Sequence, residues 1–238
     1  MNSALARLDA DICACRACPR LVAWRELVAV ERKAAHRDEQ YWGKPVSGFG
    51  DPLATVLVLG LAPAAHGANR TGRVFTGDRS GDWLFRALHR GGLANQSSSS
   101  HVDDGLRLHR TWVAAAVRCA PPANKPTPHE RDRCLPFLRR ERAALPQIQV
   151  ILALGKFAYD VIAPELNIRP RPTFGHGVEV VGALADGRVV RVVCSYHPSQ
   201  QNTFTGTLTE VMFDAVVTRA ALLSVPSDPN RDSSVSHG

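Results

Sequence analysis

Residues 55–60 read TVLVLG, and three similar runs follow along the chain. They are TWVAAAV at 111–117, VILALG at 150–155 and VRVVCSY at 190–196. Each run is short, aliphatic or β-branched, and without strict alternation of polar and apolar residues. That pattern is typical of strands covered on both faces of a sheet, so the sequence predicts four parallel strands.

Helical patterns separate these runs, at residues 19–35, 80–90, 128–144, 156–163 and 206–223. Strands that alternate with helices predict the α/β class, with three α/β/α layers around a central four-stranded parallel sheet. We expect one domain over residues 1–223, beginning with a cysteine-bearing helical segment. The low-complexity stretch NQSSSSH at 95–101 predicts a mobile loop, and residues 224–238 predict a disordered tail.

Composition excludes several classes of protein. With 238 residues, 45% of them apolar, the chain can bury a core and is not disordered as a whole. Its apolar runs fall far short of the roughly 20 residues that cross a bilayer. No secretory leader is visible, so we expect a cytoplasmic protein that does not bind membranes. A net charge of +7 modestly favours a polyanionic partner.

The cysteine pattern predicts a metal centre. In a reducing compartment, cysteines are more often metal ligands or buried thiols than disulfides. Two pairs could close around one centre: Cys15 with Cys18, and Cys119 with Cys134. Four thiolates suit tetrahedral zinc or a [4Fe–4S] cluster, and spacing does not separate the two. Cys13 could compete with Cys15, whereas Cys194 lies in a strand pattern and is expected to be a buried thiol.

Three loops that follow predicted strands carry candidate site residues, because ligands of such sheets bind beyond the carboxyl ends of the strands. Asp78 ends the first loop, where it either caps the next helix or lines a site. Phe75 either stacks on a planar ligand or plugs the core. Asn124, held between prolines, offers coplanar donors and an acceptor, or serves only as a turn residue. His197 directly follows the fourth strand and is a catalytic candidate or a surface residue.

Four separated motifs occur in a fixed order. They are CRACPRL at 15–21, GLAPAAH with RVFTGD between 60 and 78, RCAPPANKP at 118–126 and HPSQQNTFTG at 197–206. Together they resemble the uracil-DNA glycosylase superfamily, and most closely its type-b branch, family 5. The resemblance spans about residues 15–222. It implies a single α/β/α domain that binds DNA containing uracil or other deaminated bases and carries a [4Fe–4S] cluster on Cys15, Cys18, Cys119 and Cys134.

The resemblance also implies roles for individual residues. The implied catalytic residues are Asp78, Asn124 and His197. The implied base-binding residues are Ala62, His66, Phe75, Asn124 and His197. Contacts to the DNA are expected from Arg70, Arg73, Lys125, Ser199, Asn202 and Thr203. The related family 4 has a glutamate directly after the first glycine of this motif, where this chain has Leu61. In the type-b branch that this chain resembles, the corresponding acid resembles Asp78.

These parts predict a monofunctional glycosylase of base excision repair. Asn124 can pair with O4 and N3–H of a flipped uracil, and His197 can donate to O2 of the departing base. Hypoxanthine and xanthine present the same order of donor and acceptor, so we expect them to be excised as well. No lysine has an evident activating partner for Schiff-base chemistry, so the product is an abasic site in an uncut strand. We expect a monomer, associated with the nucleoid through DNA.

Two other classes of function remain open at this stage. Asp78 and His197 could serve a small-molecule hydrolase, although no G-x-S-x-G nucleophile motif is present. The charge and the cysteines also permit a metal- or cluster-bearing DNA-binding module without catalysis. No helix-turn-helix or zinc-finger pattern supports that alternative.

Overall fold

The computed structural model describes residues 3–224 of the chain. Its sheet has six strands, in the order β1-β3-β2-β4-β6-β5. These strands are β1 (Phe49–Gly50), β2 (Val56–Gly60), β3 (Thr111–Ala115), β4 (Val150–Leu154), β5 (Glu179–Ala183) and β6 (Val189–Ser195). The helices are α1 (Ser3–Cys13), α2 (Pro19–Glu31), α3 (Ala68–Thr71), α4 (Arg79–Arg90), α5 (Pro128–Ala144), α6 (Lys156–Glu165), α7 (Gln200–Phe204) and α8 (Glu210–Leu223).

The four predicted strands form the parallel centre of this sheet. Strand β2 pairs with both β3 and β4, and β4 pairs with β6, in every case parallel. The prediction of four strands was incomplete, because antiparallel strands β1 and β5 extend the sheet at its two edges. Strand β1 is only two residues long, and β5 is largely half-exposed, so neither has the apolar run that reveals a covered strand.

Successive side chains of β2 enter two different apolar cores. Val56 and Val58 pack with apolar residues of α4 and α8, whereas Leu57 and Leu59 pack with those of α5 and α6. All five residues of β2 are buried, as are all five of β4. This alternation across a sheet covered on both faces confirms the three-layer α/β/α architecture.

One predicted flexible segment, the serine-rich stretch, differs from expectation, and the predicted tail is described only at its first residue. Within 95–101, Ser99 is buried and its hydroxyl is hydrogen-bonded to Arg73, so this stretch is anchored rather than mobile. Ser224, the first residue of the predicted tail, is also buried, and its hydroxyl donates to the carbonyl of Ala221. The rest of that predicted tail, 225–238, lies outside the described residues.

The predicted helix at 206–223 begins later than expected. Thr209 accepts a hydrogen bond from the backbone N–H of Met212, and this cap starts α8 at Glu210. The preceding short helix α7 ends before Gly206, whose φ of +71° turns the chain. No helix within residues 3–224 is long and apolar enough to cross a membrane.

Candidate active site

A cleft of about 540 Å³ lies at the carboxyl ends of the parallel strands. The loop after β2, the turn after β3 and the segment after β6 all contribute to it. Its lining residues are Leu61, Ala62, Ala64, Val74, Phe75, Asp78, Arg79, Ser80, Asn124, His197, Ser199, Gln200 and Gln201. The structure therefore brings together all three predicted catalytic residues, which are 46 or more positions apart in the sequence.

Asp78 both caps α4 and lines the cleft. One carboxylate oxygen, Oδ1, accepts from the backbone N–H of Gly81 at 3.0 Å. The other oxygen, Oδ2, lies so close to Gly67 that a Cβ at position 67 would come within 2.3 Å of it. Burial raises the pKa of Asp78, against the lowering effect of the backbone N–H groups of Gly81 and Ser80. Asp78 can therefore both cap α4 and act as a site residue in the cleft.

Phe75 is fixed between the core and the cleft. It is 8% exposed, belongs to the apolar core and adopts a left-handed φ of +56°. A Cβ at Gly60 would come within 2.6 Å of its ring, so the glycine that ends β2 makes room for it. A buried aromatic residue with positive φ is costly and persists only where its surroundings hold it, as is common at functional sites.

His197 stands beside Phe75 with its ring nearly parallel. The two ring centroids are 6.0 Å apart, with an angle of 27° between the planes. Burial lowers the pKa of His197 to about 4, so its imidazole is neutral near pH 7 and carries one N–H donor. Its Cβ packs against Gly155, and its backbone carbonyl accepts from the side chain of Asn202 at 2.8 Å.

Asn124 occupies a tight 3-10 turn, Pro122–Asn124, and lines the cleft. Its φ is +55°, and that of the preceding Ala123 is +52°. Asparagine tolerates this left-handed conformation better than most residues, whereas alanine does not. The turn is therefore held in an uncommon shape, which leaves the side chain of Asn124 exposed to the cleft.

The segment after His197 supplies the last wall. Ser199 caps α7 by accepting from the backbone N–H of Asn202 at 3.3 Å and also lines the cleft. The hydroxyl of Thr203 accepts from Arg79 at 3.4 Å. Contacts of Ser199, Asn202 and Thr203 with DNA stay predictions, as does a contact of the exposed Lys125.

Three predicted contact residues have partners within the protein, and their contacts with base or DNA stay predictions. His66 is absent from the lining of the cleft, and its Nδ1 is 3.1 Å from the hydroxyl of Tyr41. Arg73 has 7% of its side chain exposed and is paired with Asp104. Arg70 has 10% of its side chain exposed and is paired with Glu39. A sequence displays these cations but not the partners that neutralise them.

Four cysteines line a separate, small cavity behind the turn that carries Asn124. They are Cys15, Cys18, Cys119 and Cys134. Cys13 is not among them, because its thiol lies near Asp9 and Ser47. The buried guanidinium of Arg25 donates to Sγ of Cys119 at 2.9 Å, and the backbone N–H of Arg118 donates to Sγ of Cys134 at 3.3 Å. Cys194 is fully buried in β6, as predicted.

These cysteines are not arranged for one ion. Within residues 3–224, no group of three or more histidine, cysteine, aspartate or glutamate side chains is placed to hold a single metal ion. Burial raises the pKa of Cys119 to about 12, opposed by the neighbouring guanidinium of Arg25. Burial also raises the pKa values of Cys18 and Cys134, so a bound metal centre would have to displace protons from these thiols.

The cleft combines the groups that heterolytic bond cleavage requires. A carboxylate, a neutral imidazole donor, a carboxamide and an aromatic ring converge on one space. A carboxylate can orient water or oppose a developing positive charge, and an imidazole N–H can stabilise a departing anion. An exposed carboxamide can read a planar ring edge through a donor and an acceptor.

The family of this chain follows from a comparison of the whole domain. Residues 47–221 match the model of the uracil DNA glycosylase superfamily, and the chain belongs to that superfamily. It is 53% identical to the type-5 uracil-DNA glycosylase of Mycobacterium bovis over 223 residues, which are 92% of this chain and 82% of that protein. It is 50% identical to that of Thermus thermophilus over 212 residues, 89% of this chain and 94% of the relative. A third similar protein, the type-5 uracil-DNA glycosylase of Pyrobaculum aerophilum, is 44% identical over 207 residues, 87% of this chain and 88% of the relative.

Sequence reasoning missed Arg79 as a residue of the cleft. Its guanidinium lies 4.3 Å from the ring centroid of Phe204, which is 67% exposed beside the cleft. Arg79 directly follows Asp78 at the start of α4, and this position could have indicated from the sequence that it lies at the cleft. Gln200 and Gln201 were in a loop singled out from the sequence, but nothing there distinguished them from their neighbours.

Proposed function

We propose that this protein is a DNA glycosylase of the type-b branch, family 5, which excises uracil from DNA in base excision repair. The observation that carries the proposal is the convergence of Asp78, Asn124, His197 and Phe75 on one cleft. The similarity to type-5 uracil-DNA glycosylases over most of the chain supports it. A base must leave the helical stack before its glycosidic bond can be reached, and the cleft is the space that receives it.

The reaction breaks the bond between N1 of uracil and C1′ of deoxyribose. The bonding electron pair leaves with the base, and positive charge develops on the sugar. The carboxylate of Asp78 opposes that charge and holds the water whose oxygen forms the new bond to C1′. The proton of this water is released to the carboxylate or to solvent, and the uracil anion takes up a proton after it departs.

His197 and Asn124 act on the base. The neutral His197 donates its N–H to O2 of uracil, where negative charge accumulates as the bond breaks. Asn124 donates to O4 and accepts from N3–H. Cytosine presents these groups in the opposite order, so it would leave both partners unpaired. Phe75 packs against the ring of the base.

The size of the cleft favours a range of deaminated bases. Its volume of about 540 Å³ is ample for a bicyclic purine. The small side chains of Ala62 and Ala64 line the cleft and leave room in it. Hypoxanthine and xanthine offer Asn124 the same donor and acceptor as uracil, so we expect their excision too.

The glycosylase is monofunctional in this proposal. Among the residues that the structure describes, no lysine lines the cleft, so no amine is placed to attack C1′. Lys156 is engaged in an ion pair with Asp160 at 2.5 Å. The product is therefore an abasic site in an intact strand.

A base-release assay tests this function. Duplexes with one uracil, hypoxanthine or xanthine are incubated with the protein, and samples are run with and without alkali. The expected result is strand breakage only after alkali. Breakage without alkali would contradict the monofunctional mechanism, and intact DNA after alkali would refute excision of these bases.

Asn124 has a matched control for this assay. Asn167 is also an exposed asparagine with positive φ, +51°, but it lies at the end of α6 and away from the cleft. We expect Asn124→Ala to reduce uracil excision on the order of 100-fold, through the loss of the two hydrogen bonds to the base. Asn167→Ala should leave the rate unchanged, and equal rates for the two variants would contradict the role of Asn124.

We further propose that Cys15, Cys18, Cys119 and Cys134 hold a [4Fe–4S] cluster. Four cysteines line one cavity, and a [4Fe–4S] cluster is held by four cysteine thiolates. The donors from Arg25 and from the backbone of Arg118 would stabilise the thiolates. The cluster would join the start of α2 to the turn that carries Asn124, as a structural element.

Spectroscopy and metal analysis test the cluster directly. Anaerobically purified protein should absorb near ~400 nm and contain about four irons per chain. Cys119→Ala and Cys134→Ala should lose both signals, while Cys13→Ala should retain them. Colourless protein that contains zinc, or loss of iron on replacement of Cys13 rather than Cys15, would refute this assignment.

A further inference from the structure

The serine-rich loop, residues 95–104, packs against the segment that carries Phe75 and Asp78. Arg73 joins the two. Its Nη2 donates to Oγ of Ser99 at 2.7 Å and to Oδ2 of Asp104 at 2.6 Å. Its Nη1 donates to the carbonyl of Val102 at 3.2 Å. Three groups of the loop thus converge on one guanidinium.

The ion pair at the centre of this contact is buried. The side chains of Arg73 and Asp104 are each 7% exposed. Asp104 also organises its own loop, since its carboxylate accepts from the backbone N–H groups of Ser100 at 2.7 Å and Leu106 at 3.0 Å. Buried pairs of this kind are costly to break by removing one partner, so the loop and the segment form one rigid unit.

This unit reaches the residues of the cleft through Thr76. The hydroxyl of Thr76 is 2.5 Å from that of Ser99 and accepts from Nε of Arg73 at 3.0 Å. The backbone N–H of Gly77 donates to the carbonyl of Ser99 at 3.4 Å. Thr76 and Gly77 are the two residues between Phe75 and Asp78. The hydrogen bonds from the serine-rich loop therefore hold the backbone directly beside both site residues.

We propose that Arg73, Ser99 and Asp104 are positioning residues for base excision. They hold the strained backbone of Phe75 and the carboxylate of Asp78 in the geometry that the reaction needs. None of the three touches the base or the sugar. The inference rests on the proposed function, because it assigns these residues to the same cleft, and it gives the serine-rich loop a role in catalysis.

Two pairs of variants test the proposal. Asp104→Asn removes the charge that faces Arg73, and Asp103→Asn makes the same change at the exposed neighbouring residue. Ser99→Ala removes the buried hydroxyl, and Ser98→Ala removes an exposed one. The alanine pair retains the ion pair, so it keeps the test valid should Asp104→Asn fail to fold.

The readouts are the single-turnover rate of uracil excision at saturating protein and the affinity for a duplex that already contains an abasic site. A misplacement near 1 Å at a reacting group costs on the order of 100-fold in rate. We expect about that loss for Asp104→Asn and a smaller one for Ser99→Ala. The affinity for abasic DNA should stay within about two-fold, because that product places no base against Phe75.

Four outcomes of these measurements decide for or against the proposal. Losses confined to Asp104→Asn and Ser99→Ala, with affinity retained, support positioning. Equal rates within each pair overturn it, as do parallel losses of rate and of affinity for abasic DNA, which would indicate general unfolding. If the unaltered protein and both control variants release no uracil, the proposed function itself is wrong, and this inference falls with it.

Discussion

At the scale of single residues, the site depends on side chains that have two tasks. Asp78 caps a helix and faces the cleft, and Phe75 fills the core and faces the cleft. Their structural tasks fix their positions, which is how a carboxylate and an aromatic ring are held without adjustment during the reaction. From the sequence, the structural role and the role in the site were alternatives for each residue. The sequence shows a residue's neighbours along the chain, but it does not show that one side chain contacts both the protein interior and the cleft.

The pH dependence of excision follows from the environments of Asp78 and His197. Burial lowers the pKa of His197 to about 4, so the ring stays neutral as the pH falls from 8 to 5 and contributes no inflection near its ordinary value. Burial raises the pKa of Asp78, so the rate falls in acid as this carboxylate takes up a proton, at a higher pH than for an ordinary aspartate.

Single-turnover rates measured from pH 4.5 to 8.5 check this prediction. His197→Gln should lower the rate at every pH without moving the acid limb. An inflection near pH 6.5 that disappears in this variant would show that His197 titrates during catalysis, contrary to the account.

Gly60 offers a test of how Phe75 is placed. The Cβ of Gly60→Ala would come within 2.6 Å of a ring that the core and a positive φ prevent from moving freely. We expect lower excision and a loss of stability of about 1–3 kcal/mol, as for other overpacked sites. Gly175→Ala is the control, because its Cβ would meet only Val178, at 3.2 Å. Similar excision rates for both variants would show that the position of Phe75 is unimportant.

At the scale of elements, a buried ion pair joins α5 to the chain that follows β3. The side chains of Arg118 and Glu141 are each 1% exposed and lie 2.5 Å apart. Arg118 directly precedes Cys119, and its backbone N–H contacts Cys134. The pair therefore fixes the base of the turn that presents Asn124 to the cleft.

Removing one charge of this pair should destabilise the protein strongly. Glu141→Gln leaves the guanidinium of Arg118 buried without a counter-charge, so we expect a loss of about 3–5 kcal/mol in the free energy of unfolding. Glu26→Gln, which breaks the exposed pair with Arg16, should cost at most about 1 kcal/mol. Urea denaturation of both variants measures the difference, and equal costs would contradict the importance assigned to the buried pair.

Prediction from sequence worked best for elements whose pattern is local. The central strands were found because an apolar run covered on both faces is visible without knowledge of its neighbours. The edge strands were missed because pairing, not composition, defines them. The serine-rich loop was misjudged for the same reason, since its order comes from Arg73, which precedes Ser99 by 26 positions.

At the scale of the whole molecule, the net charge bears on the proposed binding of DNA. The net charge of +7 favours association with a polyanion, and Lys125 is exposed next to Asn124. The pairings of Arg70 with Glu39 and of Arg73 with Asp104 show that total charge does not identify which cations are free to face the DNA. The family motifs were enough to locate the cleft from the sequence. Which cations around it are free was not predictable, because their ion pairs are visible only in the structure.

The dependence of binding on salt tests the role of Lys125. Each phosphate contact contributes about −0.9 to the slope of log affinity against log salt concentration. Lys125→Ala should weaken binding to uracil-containing and normal duplexes alike and reduce this slope by about 1. Arg188→Ala, at the opposite end of β6 from the cleft, should leave the slope unchanged. Fluorescence anisotropy over a range of salt concentrations measures both variants, and equal slopes would remove Lys125 from the interface.

The central claim is that the carboxylate of Asp78 promotes cleavage of the glycosidic bond of a uracil lodged in this cleft. The most direct measurement is the release of free uracil from a duplex by the unaltered protein, by Asp78→Asn and by Asp82→Asn. Asp82 lies one turn further along α4 and is exposed, so its replacement makes the same chemical change outside the site. We expect uracil release by the unaltered protein and by Asp82→Asn, with a rate at least about 100-fold lower for Asp78→Asn. Equal release by both variants, or no release by any of the three proteins, would contradict the central claim.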